Sequence, residues 1–338
     1  VRKGSEDAVL LGVSAHLTER DRMLVRLAGV HRVLTTDQLA ALLFGNITTA
    51  RHRLSVLVRL GLLRRFRPHP ETGSAPWHYL LGPVGATLLG AEDRDEKRWV
   101  PQVRADRQLA LARSVRLAHM TGRNWFFVAL ARQSREGGGE LREWLNEADT
   151  FSRYQCAAVR FDDRSRLPHP DGAGTWAKDS REVSFLLEYD TGTENLTILA
   201  DKLGGYQVLA AGLAWQEQPS PVLLFCFSSP RREQSARRAL AASRDAAELR
   251  IATTAIDPCV TSPAGPVWLP LTGHQGRQVR LIDLDAALPD PWQDYRARRA
   301  WDRREAAERE QALRGTNEDD EPATYGTATG EETSGQWP

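Results

Sequence analysis

Cysteine, long apolar runs and net charge are all in short supply in this chain, and each shortage closes off a class of protein. Cys156, Cys226 and Cys259 are odd in number and lack metal-type spacing. They exclude a disulfide framework and a cysteine zinc site, and a reducing cytoplasm is the simplest compartment. No apolar run approaches the length of a membrane span, and the N-terminal segment has no signal-peptide core, so a soluble, intracellular protein is expected. The formal net charge is only +1, but the charge is unevenly spread. Residues 1–90 hold twelve Lys and Arg against six Asp and Glu, whereas residues 315–338 hold six acids and no base. That asymmetry points to a basic, nucleic-acid-facing front and an acidic tail. At 338 residues there is room for two domains with ordinary cores.

After a flexible segment expected over 1–16, three helical patterns follow. Thr18 caps a helix containing Met23, Leu24, Leu27 and Ala28, with Asp21 near its positive end. Thr35 or Thr36 caps a short second helix through Leu39, Leu42 and Leu43. A third begins near Thr48 and turns Ala50, Leu54, Leu57 and Val58 inward, leaving Thr48, His52, Ser55 and Arg59 outward with Arg51 beside them. Gly61 stops it. Leu62 to Phe66 and Trp77 to Leu81 read as the strands of a hairpin with a polar tip, Pro68 to Pro76. Three helices and a hairpin predict a winged helix-turn-helix over 17–90, in which the third helix enters the major groove of duplex DNA and the wing meets the backbone. Arg51, His52, Ser55 and Arg59 are the groove candidates, and Arg64, Arg65 and Arg67 the phosphate contacts.

A helical linker region is expected over 91–139. It comprises the charged run Glu92 to Arg98, a helix from Val103 to His119 and another from Asn124 to Arg135, ended by Gly137-Gly138-Gly139. These helices either pack on the following sheet or bridge the two domains. Leu141 to Glu147 reads as a strand, Asp162 to Arg166 as a polar loop, Val183 to Leu187 as a buried strand, and Val222 to Phe227 as a strand for a sheet covered on both faces. A helix from about Arg231 to Glu248, a strand from Arg250 to Thr254 and edge strands at Val267 to Leu269 and Arg280 to Ile282 follow. That order implies an α/β layer fold over 140–288. A charged helix over 289–314 and a disordered acidic tail over 315–338 complete the chain.

The chemistry gathers between Leu167 and Tyr206. Pro170-Asp171-Gly172 is followed by Glu188-Tyr189-Asp190 at the end of the apolar strand. Lys202 and Tyr206 then lie on a helix that Thr191 is expected to cap, with Glu194 completing a capping box. Residues i and i+2 of a strand share a face, so Glu188 and Asp190 project together, a costly pairing of like charges unless a cation or basic partner relieves it. Asp171, Glu188, Asp190 and Lys202 are the candidate catalytic residues, the three acids as ligands for a divalent metal acting on a phosphodiester.

These motifs resemble the core of the PD-(D/E)xK nuclease superfamily, whose acids hold Mg²⁺ and whose lysine positions or activates the attacking water. The usual lysine two residues after the glutamate is replaced by Asp190, and Lys202 falls on the following helix, where some members carry it. Glu147 is matched to the extra acid that many members carry before the Pro-Asp motif. The longer pattern Pro-Asp-Gly, Glu-x-Asp-x-Gly-Thr-Glu and Lys-Leu-x-x-Tyr more closely resembles the replication-relaxation proteins of actinobacterial plasmids and phages, over roughly Leu17 to Leu284. The resemblance implies a multidomain α/β protein with an N-terminal winged helix followed by a restriction-endonuclease-like α/β sheet domain. It also implies a part in plasmid replication and relaxation of supercoiled DNA, with double-stranded DNA and plasmid replication or transfer proteins as partners. Three activities stay open: a Mg²⁺-dependent nickase, nicking through a tyrosine nucleophile at Tyr206 or Tyr189, and a non-catalytic initiator or transcriptional regulator on a degenerate nuclease fold.

Overall fold

The structure, a computed structural model, describes residues 16–68, 75–92, 110–112, 114, 116–158, 167–273 and 276–318. The expected flexible N-terminus up to 15, most of the hairpin tip, the charged run from 93, the polar loop at 162–166 and the acidic tail from 319 lie outside the described residues.

The N-terminal unit runs α1 (Glu19–Val30), β1 (Leu34–Thr35), α2 (Thr36–Leu43), α3 (Ile47–Arg59), β2 (Leu63–Phe66), β3 (His78–Leu81) and α4 (Pro83–Glu92). Short polar side chains set the helix starts. The Thr18 hydroxyl accepts from the Asp21 N–H while the Asp21 carboxylate accepts from the Thr18 N–H, and Thr35 and Gln38 repeat this capping box on α2. Asn46 caps α3, a residue or so ahead of the expected start. The hairpin gains a third strand, giving the order β1-β3-β2, because Leu34 and Thr35 pair with Tyr79 and His78. Leu24, Leu39, Leu54, Leu57 and Tyr79 form the core of this unit.

The second unit runs α5 (Arg116–Arg135), β4 (Glu140–Asn146), α6 (Glu147–Tyr154), β5 (Gly172–Lys178), β6 (Arg181–Asp190), α7 (Leu196–Trp215), β7 (Val222–Phe227), α8 (Pro230–Ala242), β8 (Ile251–Thr254), β9 (Pro266–Pro270), β10 (Val279–Arg280) and α9 (Gln293–Glu318). A seven-stranded mixed sheet has the order β10-β9-β8-β7-β6-β5-β4. β6, β7 and β8 are parallel and the other neighbours antiparallel. Both faces are covered, as the apolar run at 222–227 predicts. Phe126, Phe127 and Leu130 of α5 pack with Phe185, Leu187 and Leu224 on one face, and Leu203 and Tyr206 of α7 with Leu186 and Phe225 on the other. The period of two along β6 sends Phe185 and Leu187 towards α5, and Leu186 and Glu188 towards α7. Among the described residues no helix is long and apolar enough to cross a membrane.

The structure departs from the sequence reading in several places. The break expected between helices ending at His119 and starting at Asn124 is absent, because α5 runs unbroken from Arg116 through Gly122, while most of 103–115 lies outside the described residues. A Cβ at Gly122 would sit 2.3 Å from the Tyr189 ring, so the glycine there serves close packing of helix on sheet rather than a break. Strand β5 went unread, although it pairs with β6 along its whole length through a two-residue turn at Asp179 and Ser180, both at positive φ. The cap of α7 is Asn195 and not Thr191. Asp190 accepts instead from the Gly192 N–H and holds 191–194 as a turn. Finally, α9 continues to Glu318, past the end expected near 314, and α8 stops at Ala242 before a 3₁₀ turn over Arg244–Glu248.

Helix α5 also joins the two units. Asn124 Nδ2 donates to the Val33 carbonyl at 2.7 Å, Gln38 Nε2 to the Thr121 carbonyl at 2.8 Å, and Arg135 to the Ala41 carbonyl at 2.7 Å. Beside it the buried His31 ring stacks on Trp144 of β4 with centroids 3.7 Å apart. The region read as a linker or bridge therefore includes a helix that does both things: it covers the sheet and carries the N-terminal unit.

Candidate functional site

Asp171 is pinned just before β5 by its own N–H, which donates to the Leu187 carbonyl at 2.9 Å. Gly172 pairs with Leu187, which sets Asp171 at the end of the strand pair beside Glu188, near enough for its charge to raise the Glu188 pKa. Asp171 Oδ2 accepts from the Tyr189 N–H at 2.8 Å and lies 3.0 Å from His119 Nε2 on α5. Burial alone would lower the His119 pKa, but the hydrogen bond and charge of Asp171 outweigh it and the net direction is up. One turn along α5, Arg123 reaches the Asp171 carbonyl and Glu147 Oε2, each at 3.4 Å. Glu147 thus meets the site through Arg123.

Glu188 is buried, and its two oxygens accept from Lys202 Nζ at 3.0 Å and from the Tyr206 hydroxyl. Burial pushes its pKa up to about 7; Lys202 opposes the rise and the nearby Asp171 charge adds to it. Lys202 also donates to Glu194 at 2.9 Å. Burial works against its charge, yet Glu188 and Glu194 hold its pKa above the usual lysine value. Glu188 and Lys202 open onto a groove of about 680 Å³ that is also lined by Leu167, His169, Gly205 and Arg244.

A carboxyl raised from 4.5 to about 7 favours the fold while protonated. Its contribution is full below pH 4.5 and is lost as pH rises towards 7. Glu188→Gln removes that loss. Urea unfolding at pH 5 and pH 8 is expected to show a flatter profile for the variant, with its advantage over the parent growing at pH 8.

Asp190 shares the face of Glu188, as the strand period predicts, but has a different partner. Arg232 of α8 grips Asp190 Oδ2 through Nη2 at 2.7 Å and Nε at 3.2 Å. Among the described residues no set of three or more His, Cys, Asp or Glu side chains is placed to hold a metal ion. Of the three candidate acids, Asp171 and Glu188 are not locked to an arginine. Neither tyrosine is an exposed phenol. Tyr206 is buried against Glu188, and burial raises its pKa well above the ordinary value. Tyr189 is partly buried, its ring against Gly122 and edge-on to His119, and its pKa is also raised by burial.

Sequence reasoning missed His119, Arg123, Glu194 and Arg232. The first two left a signal, since positions four apart share one face of a helix. Glu194 and Arg232 reach Lys202 and Asp190 only through the turn after β6 and the next helix, which spacing does not reveal.

In the N-terminal unit, Arg51, His52 and Arg59 of α3 are exposed and Ser55 is partly so. Arg53 between them turns inward to the buried Asp21 at 2.7 Å. Arg64 and Arg65 of β2 and Arg67 beyond it are exposed. The guanidinium groups of Arg65 and Arg67 lie over the Trp77 ring, 4.2 and 4.4 Å from its centroid, so one indole orders two cations of the hairpin.

A protein-family profile described as Replication-relaxation matches residues 26–222, more than half of the 338. The matched segment holds α3, the hairpin, His119, Asp171, Glu188 and Lys202. No curated protein and no solved structure matched the chain.

Proposed function

Because the chain belongs to the replication-relaxation family, we propose that it serves plasmid or mobile-element replication by binding duplex DNA and nicking it at a Mg²⁺ site formed by Asp171 and Glu188. The family supports the coarser part, a replication-related role. The finer part rests on one observation: a buried carboxyl with a pKa near 7 that feels the charge of a second carboxylate has an ammonium in contact and a groove alongside.

The donor set suits Mg²⁺, which commonly takes one or two carboxylates and completes its shell with water and substrate phosphate. Bound there, Mg²⁺ would polarise a phosphoryl oxygen and offset the like charges of the two acids. Lys202, steadied by Glu194, supplies positive charge to the attacked phosphate and orients water. His119 holds the Asp171 carboxylate from the other side. Asp190, locked to Arg232, fixes the end of β6 rather than adding a ligand.

Three helices and a hairpin, with Arg51, His52 and Arg59 exposed on α3 and arginines on the hairpin, support a winged-helix reading in which α3 enters the major groove. Arg51→Ala or Arg59→Ala is expected to weaken duplex binding roughly tenfold. Removing a hairpin arginine such as Arg65 from a phosphate should instead flatten the plot of log affinity against log salt by about one unit. Unchanged binding in both variants moves the DNA surface elsewhere.

The deciding experiment follows supercoiled plasmid to open circle in Mg²⁺ for the parent, Asp171→Ala and Glu188→Ala. Nicking by the parent alone supports the site, and nicking by all three removes it. A second reading takes the fully bonded Glu188–Lys202–Tyr206 cluster as structural, in a non-catalytic initiator or regulator. Nicking by none of the three selects that reading.

A further inference from the structure

Residues 47–68 hold six arginines and no acid. Arg53 is engaged by the buried Asp21, and the other five, Arg51, Arg59, Arg64, Arg65 and Arg67, are exposed. Between the end of α3 and the hairpin lies a shallow groove of about 500 Å³, lined by Val58, Leu63, Arg64, Arg65, Trp77 and Pro83. Asp37, the acid beside Thr36, acts on Cys259 of the second unit. Even with Glu71 of the hairpin tip counted in, which lies outside the described residues, five arginines stand against one acid.

Trp77 is the fixed point of this surface. Its carbonyl accepts from the Thr36 N–H at 2.9 Å and from the Thr36 hydroxyl at 3.3 Å, so the start of α2 holds the strand. Its ring is half-buried against the core of the N-terminal unit. The guanidinium groups of Arg65 and Arg67 both lie over that ring, and no carboxylate bonds either of them among the described residues. Stacking engages the face of a guanidinium and leaves its N–H donors, which lie in the plane, available to phosphate oxygens. An arginine that is loose on a hairpin must give up its rotamer freedom on binding, whereas one already stacked gives up less.

We propose that Trp77 is a positioning residue for DNA, presetting Arg65 and Arg67 for phosphates of a strand that passes along the groove between the hairpin and α3. The proposal rests on the winged-helix reading and adds to it the side chain that prepares the hairpin before DNA arrives. Direct stacking of the indole on bases fits less well, because a duplex keeps its base faces inside the stack and two guanidinium groups already cover the ring. Packing alone asks only for an apolar side chain at this position, and leucine would serve.

The test measures binding of the full chain to a fluorescent duplex of mixed sequence over a range of salt. It compares the parent with Trp77→Leu, Trp77→Phe, Arg65→Ala/Arg67→Ala and the last pair combined with Trp77→Leu. Trp77→Leu should bind roughly tenfold more weakly, since two side chains are now ordered only on binding. Its salt slope should stay at the parent value, because both arginines still reach phosphates. Trp77→Phe, which keeps a ring face, should stay within about threefold of the parent. The arginine pair should flatten the slope by about 1.8, the value for two phosphates of a duplex. In that background Trp77→Leu should cost nothing more. Urea midpoints check that the leucine variant is folded. Parent-like binding by Trp77→Leu overturns the proposal, as does the same loss persisting without the arginines. Absence of duplex binding by the parent overturns it together with the winged-helix reading. Weakening by Arg59→Ala but not by Trp77→Leu leaves that reading standing and removes this one alone.

Discussion

Glu188→Ala and Asp171→Ala are each expected to lower Mg²⁺-dependent nicking of supercoiled plasmid by on the order of a hundredfold or more, the usual cost of removing a charged group that acts on the transition state. Loss of activity by itself would not separate chemistry from folding, because Glu188 also anchors Lys202 and Tyr206. Glu188→Gln makes that separation. The amide keeps the shape and an acceptor for the tyrosine hydroxyl, and Lys202 keeps Glu194. Fold stability should therefore persist in the amide variant while nicking is lost. An amide variant that nicks like the parent would take Glu188 out of the site.

Asp190→Ala is expected to act mainly on stability, by about 3–5 kcal/mol, the range for breaking a buried ion pair from one side. Its carboxylate is 4% exposed, and the Arg232 left behind is 16% exposed with no other carboxylate bonded to it among the described residues. The turn at Gly192 loses its acceptor as well. Urea midpoints compared for Asp190→Ala and Asp171→Ala check this, with the larger fall for the former. If Asp190→Ala unfolds like the parent but no longer nicks, the arginine pairing is incidental and Asp190 belongs with the ligands after all.

Local chemistry was legible wherever a residue and its partner sit within a few positions. The Thr18 cap of α1, the shared face of Glu188 and Asp190 and the doubly covered strand at 222–227 all follow from nearest-neighbour rules. Strand β5 was not legible, because Gly172, Ala173 and Gly174 carry no strand propensity. The smallness of the two glycines is explained only by what lies above them, the rings of Phe127 and Phe185. Nor was the turn after β6: Thr191 and Glu194 satisfy a capping pattern, yet Asp190 claims the Gly192 amide and Asn195 takes the cap. His119 escaped for a related reason. A histidine on an otherwise ordinary helix acquires meaning only when the fold brings it to a carboxylate 52 residues away.

Because one helix bears Asn124 on the N-terminal unit and His119 against Asp171, the surface that would grip DNA is tied through that helix to the acidic cleft. A duplex held by α3 would present its backbone to that cleft at one fixed reach, as on a ruler. Breaks should then fall a constant number of base pairs from the bound sequence, and lengthening the loop around Arg32 should scatter them.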